Sequence, residues 1–268
     1  MIDAQPKLLD ASWTESALLL SREAGWNQIA ADWHIFFFHG RVFGFVDNGR
    51  LVATAAALPY GDRIGWVSMV LVTADWRRKG LATKLVSACI SNLRDNGRAA
   101  FLDAAPAGVN IYGSLGFVPL CGMERWQGEG QGNTSSAETA DFEELAAVDR
   151  RAFGADRRFL LEDLIGREGS SLLQADHACG ILRRGDQAWQ LGPILGEATS
   201  VPKLVANAIR LAQGPMFVDV LDAGSAIKAA LTEIGFHEQR SFTRMALGID
   251  HLLGNSSHLL AAAGPEFG

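Results

Sequence analysis

Apolar positions at Leu18, Leu19 and Ile29, with a break at Gly25, predict helical segments over residues 14–33, with Ser12 or Thr14 able to cap the first. The following stretch, HIFFFHGRVFGFVDNGRLVATAAALPY, is apolar enough to predict strands. Within it, VDNGRLV sets Asn48-Gly49 between two apolar runs. That is a hairpin signal, because a type I′ turn needs positive φ at both central residues. WVSMVLV (66–72) predicts another strand. Apolar residues at 81, 85, 86, 89, 90 and 93 then fall on one face of a helix. AAFLDAA (99–105) returns to strand, VNIYGSL is a short helix ending at Gly116, and FVPLCGMERW is a further strand.

Residues 128–137 (GEGQGNTSSA) lose all apolar periodicity and predict a linker between a first domain, 1–127, and a second, 138–250. The second opens with a helical region over 138–166, then strands at 170–175, 178–184 and 187–194, and a helix near 200–213. MFVDV, a helix over 224–234 and GFHEQRSFTRMAL close it. Residues 251–268 are small and apolar without a visible partner, and are expected to form a loose tail. The two halves echo one another. FLDAAPAGVNIYGSLGF and FVDVLDAGSAIKAALTEIGF each run from a strand carrying Asp, through a helix, to Gly-Phe, followed by MERW in one and FTRM in the other. A period this long indicates a duplicated domain rather than a solenoid.

Composition narrows the function. The 268 residues are 48% hydrophobic and carry 24 Lys and Arg against 30 Asp and Glu, a net charge of −6. An acidic chain argues against nucleic acid or acidic membrane as partner. Cys89, Cys121 and Cys179 are odd in number and widely spaced, and the six histidines lack ligand spacing, so neither disulfides nor a metal site is expected. No leader and no run of membrane-spanning length is visible, which makes the cytoplasm the expected location.

Against that background the cations of WRRKGLATKL (76–85) stand out. A strand enters this loop and a helix leaves it. The first amides of a helix have no intrahelical acceptor and can bind an anion, with Gly80 and Ala82 keeping bulk away and Arg77, Arg78 and Lys79 adding charge. By itself the stretch reads equally well as an exposed basic turn. It is neither a P-loop nor a dinucleotide fingerprint.

Arg77-x-x-Gly80-x-Ala82 resembles the Gln/Arg-x-x-Gly-x-Gly/Ala loop of the GNAT acyltransferase superfamily, and Tyr112-Gly-Ser-Leu-Gly116-Phe117 resembles its Tyr-x-x-x-Gly-Phe segment. Both occur in the right order and strand–helix–strand context. The resemblance covers residues from about 10 to 127. It is closer still to the tandem-domain members, through Gly25-Trp26-Asn27-Gln28, Asp32-Trp33 and the run from Leu102 to Gly108. It implies an α/β chain of the α+β kind, with two tandem domains, each a mixed, mostly antiparallel sheet flanked by helices. It also implies acetyl-CoA as cosubstrate and an amine of a small molecule or protein as acceptor. The pyrophosphate would lie on residues 77–83 (Arg77, Arg78, Lys79, Gly80, Leu81, Ala82, Thr83), the pantetheine arm against Val70, Leu71 and Val72, and Tyr112 near the thioester sulfur. Ala105 stands where many members carry an Asn that contacts pantetheine.

For acyl transfer, Tyr112 is a reasonable proton donor to the leaving thiolate, since a phenol titrating at about pH 10 is still protonated at neutral pH, and a thiol titrates at about 8.5; otherwise it is an amphipathic core residue. Asp103 and Asp32 are candidate bases, each equally able to serve as a cap or turn former. Trp26, Trp33 and Phe36 to Phe38 either line an acceptor pocket or pack the core, and Cys89 sits on an apolar helix face as inert core. The second domain has no such loop, because Glu197 and Pro202 stand where cations and small residues are needed. It is expected to close over the acceptor site or to join subunits in a homodimer, and cutting the linker is expected to leave a first domain that binds coenzyme A. The competing reading is a non-catalytic acyl-CoA-binding or scaffold protein.

Overall fold

Asn48 and Gly49 adopt φ of 47° and 79°, the two positive values that the hairpin requires. They join strands two and three of a computed structural model that describes residues 5–134, 139–222 and 225–268. The first half runs β1 (Lys7–Leu9), α1 (Thr14–Glu23), α2 (Ala30–His39), β2 (Arg41–Asp47), β3 (Arg50–Tyr60), β4 (Ile64–Val72), α3 (Leu81–Asp95), β5 (Ala99–Ala104), α4 (Pro106–Ser114) and β6 (Val118–Gln131). The second runs α5 (Phe142–Phe153), α6 (Arg158–Gly166), β7 (Ser171–Ala175), β8 (Ala178–Arg184), β9 (Trp189–Gly196), α7 (Val201–Leu211), β10 (Gln213–Leu221), α8 (Ser225–Glu233), β11 (His237–Leu247) and β12 (Leu259–Ala261). Among the described residues, no helix is long and apolar enough to cross a membrane.

Three expectations are corrected. HIFFFH, expected as strand, is the end of α2. The Asp32 carboxylate accepts from the Ile29 amide at 2.8 Å and starts the helix. Trp33, Ile35 and Phe36 then turn inward while Phe38 stays 71% exposed, a one-sided burial hidden by the unbroken apolar run.

The second correction concerns the predicted linker. Gly128 to Gln131 are the end of β6 and pair with Gln213 to Met216 of β10. The glycines there serve close approach. A Cβ on Gly128 would lie 2.3 Å from the Phe236 ring, and one on Gly130 would lie 2.4 Å from the Ala212 carbonyl oxygen. Residues 135–137 of the linker, with 138, lie outside the described residues.

Thirdly, residues 251–268 are no loose tail. Leu259, Leu260, Ala261 and Phe267 are buried. Phe267 stacks on Phe36 with ring centroids 5.4 Å apart. Its carbonyl accepts from the Tyr60 hydroxyl at 2.9 Å, and that of Pro265 from the Trp66 indole at 3.1 Å. A short, small-residue segment carries no local sign of such distant partners.

Among the described residues, the strands join one twelve-stranded sheet in the order β1-β2-β3-β4-β5-β11-β6-β10-β12-β9-β8-β7. Each half contains a parallel pair crossed by a helix: β4 and β5 with α3, and β9 and β10 with α7. The strand that closes each half is exchanged. β6 pairs with β10 of the second half, and β11 pairs with β5 of the first.

The repeated Asp and Arg of the sequence meet across this exchange. Arg125 of β6 grips Asp219 of β10 through Nε (2.8 Å) and Nη2 (2.7 Å). Arg244 of β11 grips Asp103 of β5 through the same two nitrogens, both at 2.9 Å. All four side chains are buried. Helix α3 packs on one face of the first-half strands, while α1, α2, α5, α6 and the C-terminal segment share an apolar cluster with side chains such as Trp66 and Phe101.

Candidate active site

Strands β4 and β5 pair only from Ile64 to Trp66, against Ala99 to Phe101. Just beyond, β4 bulges. Thr54 of β3 faces Leu71 and Ala56 faces Ser68, so two residues of β4, Met69 and Val70, stand against Ala55 alone. Met69 has φ of 53°, and its carbonyl accepts from the Thr54 hydroxyl at 2.9 Å. The bulge turns β4 away from β5 and opens a wedge at their carboxyl ends. Val67 to Val72 have no β5 partner in the ladder, so their backbone forms a strand edge that an extended amide-bearing ligand can join.

The loop beyond Val72 is anchored from α1. Glu23 accepts from the Thr73 hydroxyl at 2.7 Å and from the Ala74 amide at 2.8 Å. The Thr73 hydroxyl is the main reason that its carboxyl titrates below the usual range, with Arg77 and Arg50 adding to the effect. Nothing in the local sequence marks Glu23 for this task. Arg77 donates through Nε to the Val72 carbonyl at 3.1 Å, so part of its guanidinium fixes the loop. Lys79 lies 4.4 Å from the centre of the Trp76 ring.

Arg78 and Gly80 both have positive φ, 61° and 76°, and Gly80 is the N-cap of α3 without a side-chain cap bond. The amides of Leu81, Ala82 and Thr83 thus begin α3 with no intrahelical acceptor. A Cβ on Gly80 would meet nothing within 4 Å, so nothing packs against the loop at this position.

Tyr112 lies on α4, half-buried, in the apolar cluster that also takes in Val70 and Val72 of the wedge. Its ring meets Phe117 edge-on at 6.1 Å. One turn earlier, a Cβ on Gly108 would lie 2.8 Å from the Tyr112 ring, so the absence of a side chain there seats the tyrosine. Burial pushes the phenol up to about 12, and Cys89 adds to the shift, which keeps Tyr112 protonated at neutral pH.

The two carboxylates considered as bases are both committed elsewhere. Both Asp103 oxygens bind Arg244, and burial pushes its carboxyl up against the pull of that guanidinium. Asp32 is fully buried, holding the Ile29 amide with one oxygen and Arg167, at 2.8 Å, with the other. Neither has a free oxygen facing the wedge. Trp33 donates to the Ser21 hydroxyl at 3.0 Å and Phe36 stacks on Phe267, so these two are core; Trp26 and Phe37 pack against the same cluster. Cys89 is core as expected, its thiol pushed up by burial.

The second half repeats the wedge and fills it. β9 and β10 pair in parallel only through Trp189 to Leu191 and Met216 to Val218. Beyond that point β12 lies between them, with Ala261 facing Val220 on one side and Ile194 on the other, and Leu259 facing Leu195. The Ala262 amide also donates to the Asp219 carbonyl at 2.9 Å. The chain's own strand therefore takes the edges that stand free in the first half. Before α7 the loop carries Glu197 and no cation. Among the described residues, no group of three or more His, Cys, Asp or Glu could hold a metal.

Comparison with known proteins agrees with this layout. Residues 7–117 match the acetyltransferase (GNAT) family, and residues 145–261 match an acetyltransferase (GNAT) domain. An uncharacterised N-acetyltransferase of Bacillus subtilis is 25% identical over 237 residues, covering 82% of this chain and 83% of that protein. A solved Pyrococcus horikoshii structure, assigned as an acetyltransferase, superposes with a TM-score of 0.85 at 17% identity, over 100% of this chain and 96% of its own. A tandem GNAT protein from the clavulanic acid biosynthesis pathway superposes with a TM-score of 0.61 at 11% identity, over 92% and 98% of the two chains. The two family matches together span most of the sequence, and the chain belongs to the GNAT superfamily, with two GNAT domains in tandem.

Proposed function

We propose that the protein is an N-acetyltransferase that moves an acetyl group from acetyl-CoA to a primary amine, at a single site in the β4–β5 wedge. The observation that carries this reading is the contrast between the two wedges: one keeps a free strand edge ahead of an uncapped helix N-terminus, the other is filled by β12. The amides of residues 81–83 with Arg77, Arg78 and Lys79 hold the pyrophosphate. The free edge of Val70, Leu71 and Val72 pairs with the amides of pantetheine.

The neutral amine attacks the thioester carbonyl carbon, and a carbon–nitrogen bond forms as the oxygen takes up negative charge. A backbone N–H of residues 70–72 stabilises that oxyanion. The carbon–sulfur bond then breaks, and Tyr112 gives its proton to the departing thiolate. The attacking nitrogen loses its proton to water, and the phenolate is reprotonated from solvent, leaving an amide and free coenzyme A. With Asp103 and Asp32 engaged, water is the proton acceptor in this scheme.

Tyr112→Phe is expected to lower kcat by about 10²–10⁴-fold with little change in KM for acetyl-CoA, because the hydroxyl acts only as charge develops on sulfur. Thiol release followed across an amine panel checks this; wild-type turnover by the variant would remove Tyr112 from the mechanism. Calorimetric titration of the whole chain is expected to give one coenzyme A site. Two sites of similar affinity would show that β12 vacates the second wedge. Tight coenzyme binding without thiol release for any amine would favour the non-catalytic reading.

A further inference from the structure

On the sheet face opposite α3, a cavity of about 180 Å³ runs across five neighbouring strands, β4, β5, β11, β6 and β10, beneath α5 and the 252–259 segment. At one end are Trp66 of β4 and Phe101 of β5, stacked with ring centroids 5.8 Å apart. These are the last residues that pair before β4 and β5 part, so this end lies at the floor of the open wedge. The other end is reached by crossing β11 and β6 to β10, where Asp222 lines the cavity just after Leu221. Three strand steps separate β5 from β10, roughly 14 Å at ordinary inter-strand spacing.

The walls between are apolar, with Phe153, Leu252 and Leu259 among them. Two charged residues line the cavity. Arg244 is neutralised by its two-pronged bond to Asp103 and lies over the Trp66 ring, its guanidinium carbon 4.7 Å from the centroid. Asp222 is exposed, carries no ion pair among the described residues and uses one oxygen to accept from the Gly122 amide at 2.5 Å. One net negative charge therefore sits at the end of a largely apolar cavity opposite to Trp66 and Phe101, the pair next to the wedge.

We propose that this cavity binds the acceptor, and that the acceptor is an elongated amine with an apolar spacer and a second cationic group, held by Asp222 while the reacting nitrogen faces the wedge. This rests on the acetyltransferase reading above for the role of the wedge, but not for the cavity's selectivity. An apolar spacer gains from leaving water, and a cation at the far end meets an uncompensated carboxylate.

Three probes of equal length separate these contributions: 1,8-diaminooctane, 1-aminooctane and 8-aminooctanoate, which end in a cation, a methyl group and an anion. Calorimetry on the full chain is expected to rank them in that order, the diamine about tenfold tighter than the monoamine, as for one charge-assisted contact. Asp222→Asn keeps an acceptor for the Gly122 amide and is expected to erase the diamine's advantage. Leu252→Trp, which fills the channel, is expected to abolish binding of all three, and both variants should bind coenzyme A as the wild type does. Equal binding of the three probes, no binding of any, a diamine preference that survives Asp222→Asn, or unchanged binding in Leu252→Trp would overturn the proposal. A diamine that binds with this ranking yet is never acetylated would overturn the acceptor assignment; the acetyltransferase reading itself falls only if no amine of the panel releases thiol.

Discussion

Gly80→Glu is expected to abolish coenzyme A binding while leaving the protein folded. The position sits at φ 76°, so any side chain there meets left-handed backbone strain of about 1–2 kcal/mol. For a chain of this size that corresponds to a few degrees in Tm, roughly 2–4 °C per kcal/mol. No clash adds to it, because a Cβ would have nothing within 4 Å.

The carboxylate would then stand in the space before the amides of Leu81, Ala82 and Thr83, and it would itself be attracted by them and by the dipole of α3. It competes for the same donors as a pyrophosphate and repels it. Two unit charges about 4 Å apart near a protein surface interact by about 4 kcal/mol, on the order of a thousandfold in affinity. Gly80→Ala has the same backbone strain without the charge, and is expected to bind coenzyme A far better than the glutamate variant. Calorimetry and a thermal melt on the two variants decide the matter. Wild-type affinity in Gly80→Glu would move the phosphate site away from this loop.

What the sequence disclosed depends on whether a feature is encoded locally. The Asn48-Gly49 hairpin, the apolar face of α3 and the cation–glycine loop before it are set by neighbouring residues, and all stand where the pattern put them. The β4 bulge is also local, yet a non-glycine residue at positive φ, here Met69, leaves no mark in the sequence. HIFFFH misleads because six apolar and aromatic residues suit either a buried strand or the inner turn of a helix, and only the Asp32 cap decides.

Features that depend on distant partners were beyond reach. GEGQ reads as a linker, although its glycines are there for Phe236 and Ala212, more than eighty residues away. Residues 259–261 have no pattern of their own, and it takes the folded wedge of β9 and β10 to make them a strand. Asp103 and Asp219, with Arg125 and Arg244, are the instructive case. Their repetition was visible as internal similarity, and it correctly marked duplicated halves. That each Asp is matched by the Arg of the other half follows only from the strand exchange, and it turns Asp103 from a candidate base into half of a structural ion pair.

The exchange also reverses the expectation that the halves separate. Residues 1–134 made alone are expected neither to fold cooperatively nor to bind coenzyme A. Without the second half, β5 and β6 lose β11 between them, and β6 also loses β10. Asp103 loses Arg244 and Arg125 loses Asp219, leaving two uncompensated ions in places that are buried in the whole chain. Removing one partner of a buried pair costs about 3–5 kcal/mol, and two such losses rival the whole stability of a typical domain, about 5–15 kcal/mol. Phe36, Tyr60 and Trp66 would lose the 265–267 segment as well.

Produced together as separate chains, 1–134 and 139–268 are expected to assemble into a complex that melts cooperatively and binds coenzyme A, since every strand pairing can form between them. Arg244→Met in the intact chain isolates one of the two pairs and is expected to lower stability by about 3–5 kcal/mol. Circular dichroism melts with coenzyme A calorimetry on the fragment, the reassembled pair and the variant provide the check. If residues 1–134 alone melt cooperatively and bind coenzyme A with the affinity of the whole chain, then β6 can return to β5 unaided, and the strand exchange is a feature of the tandem chain rather than a requirement of its folding.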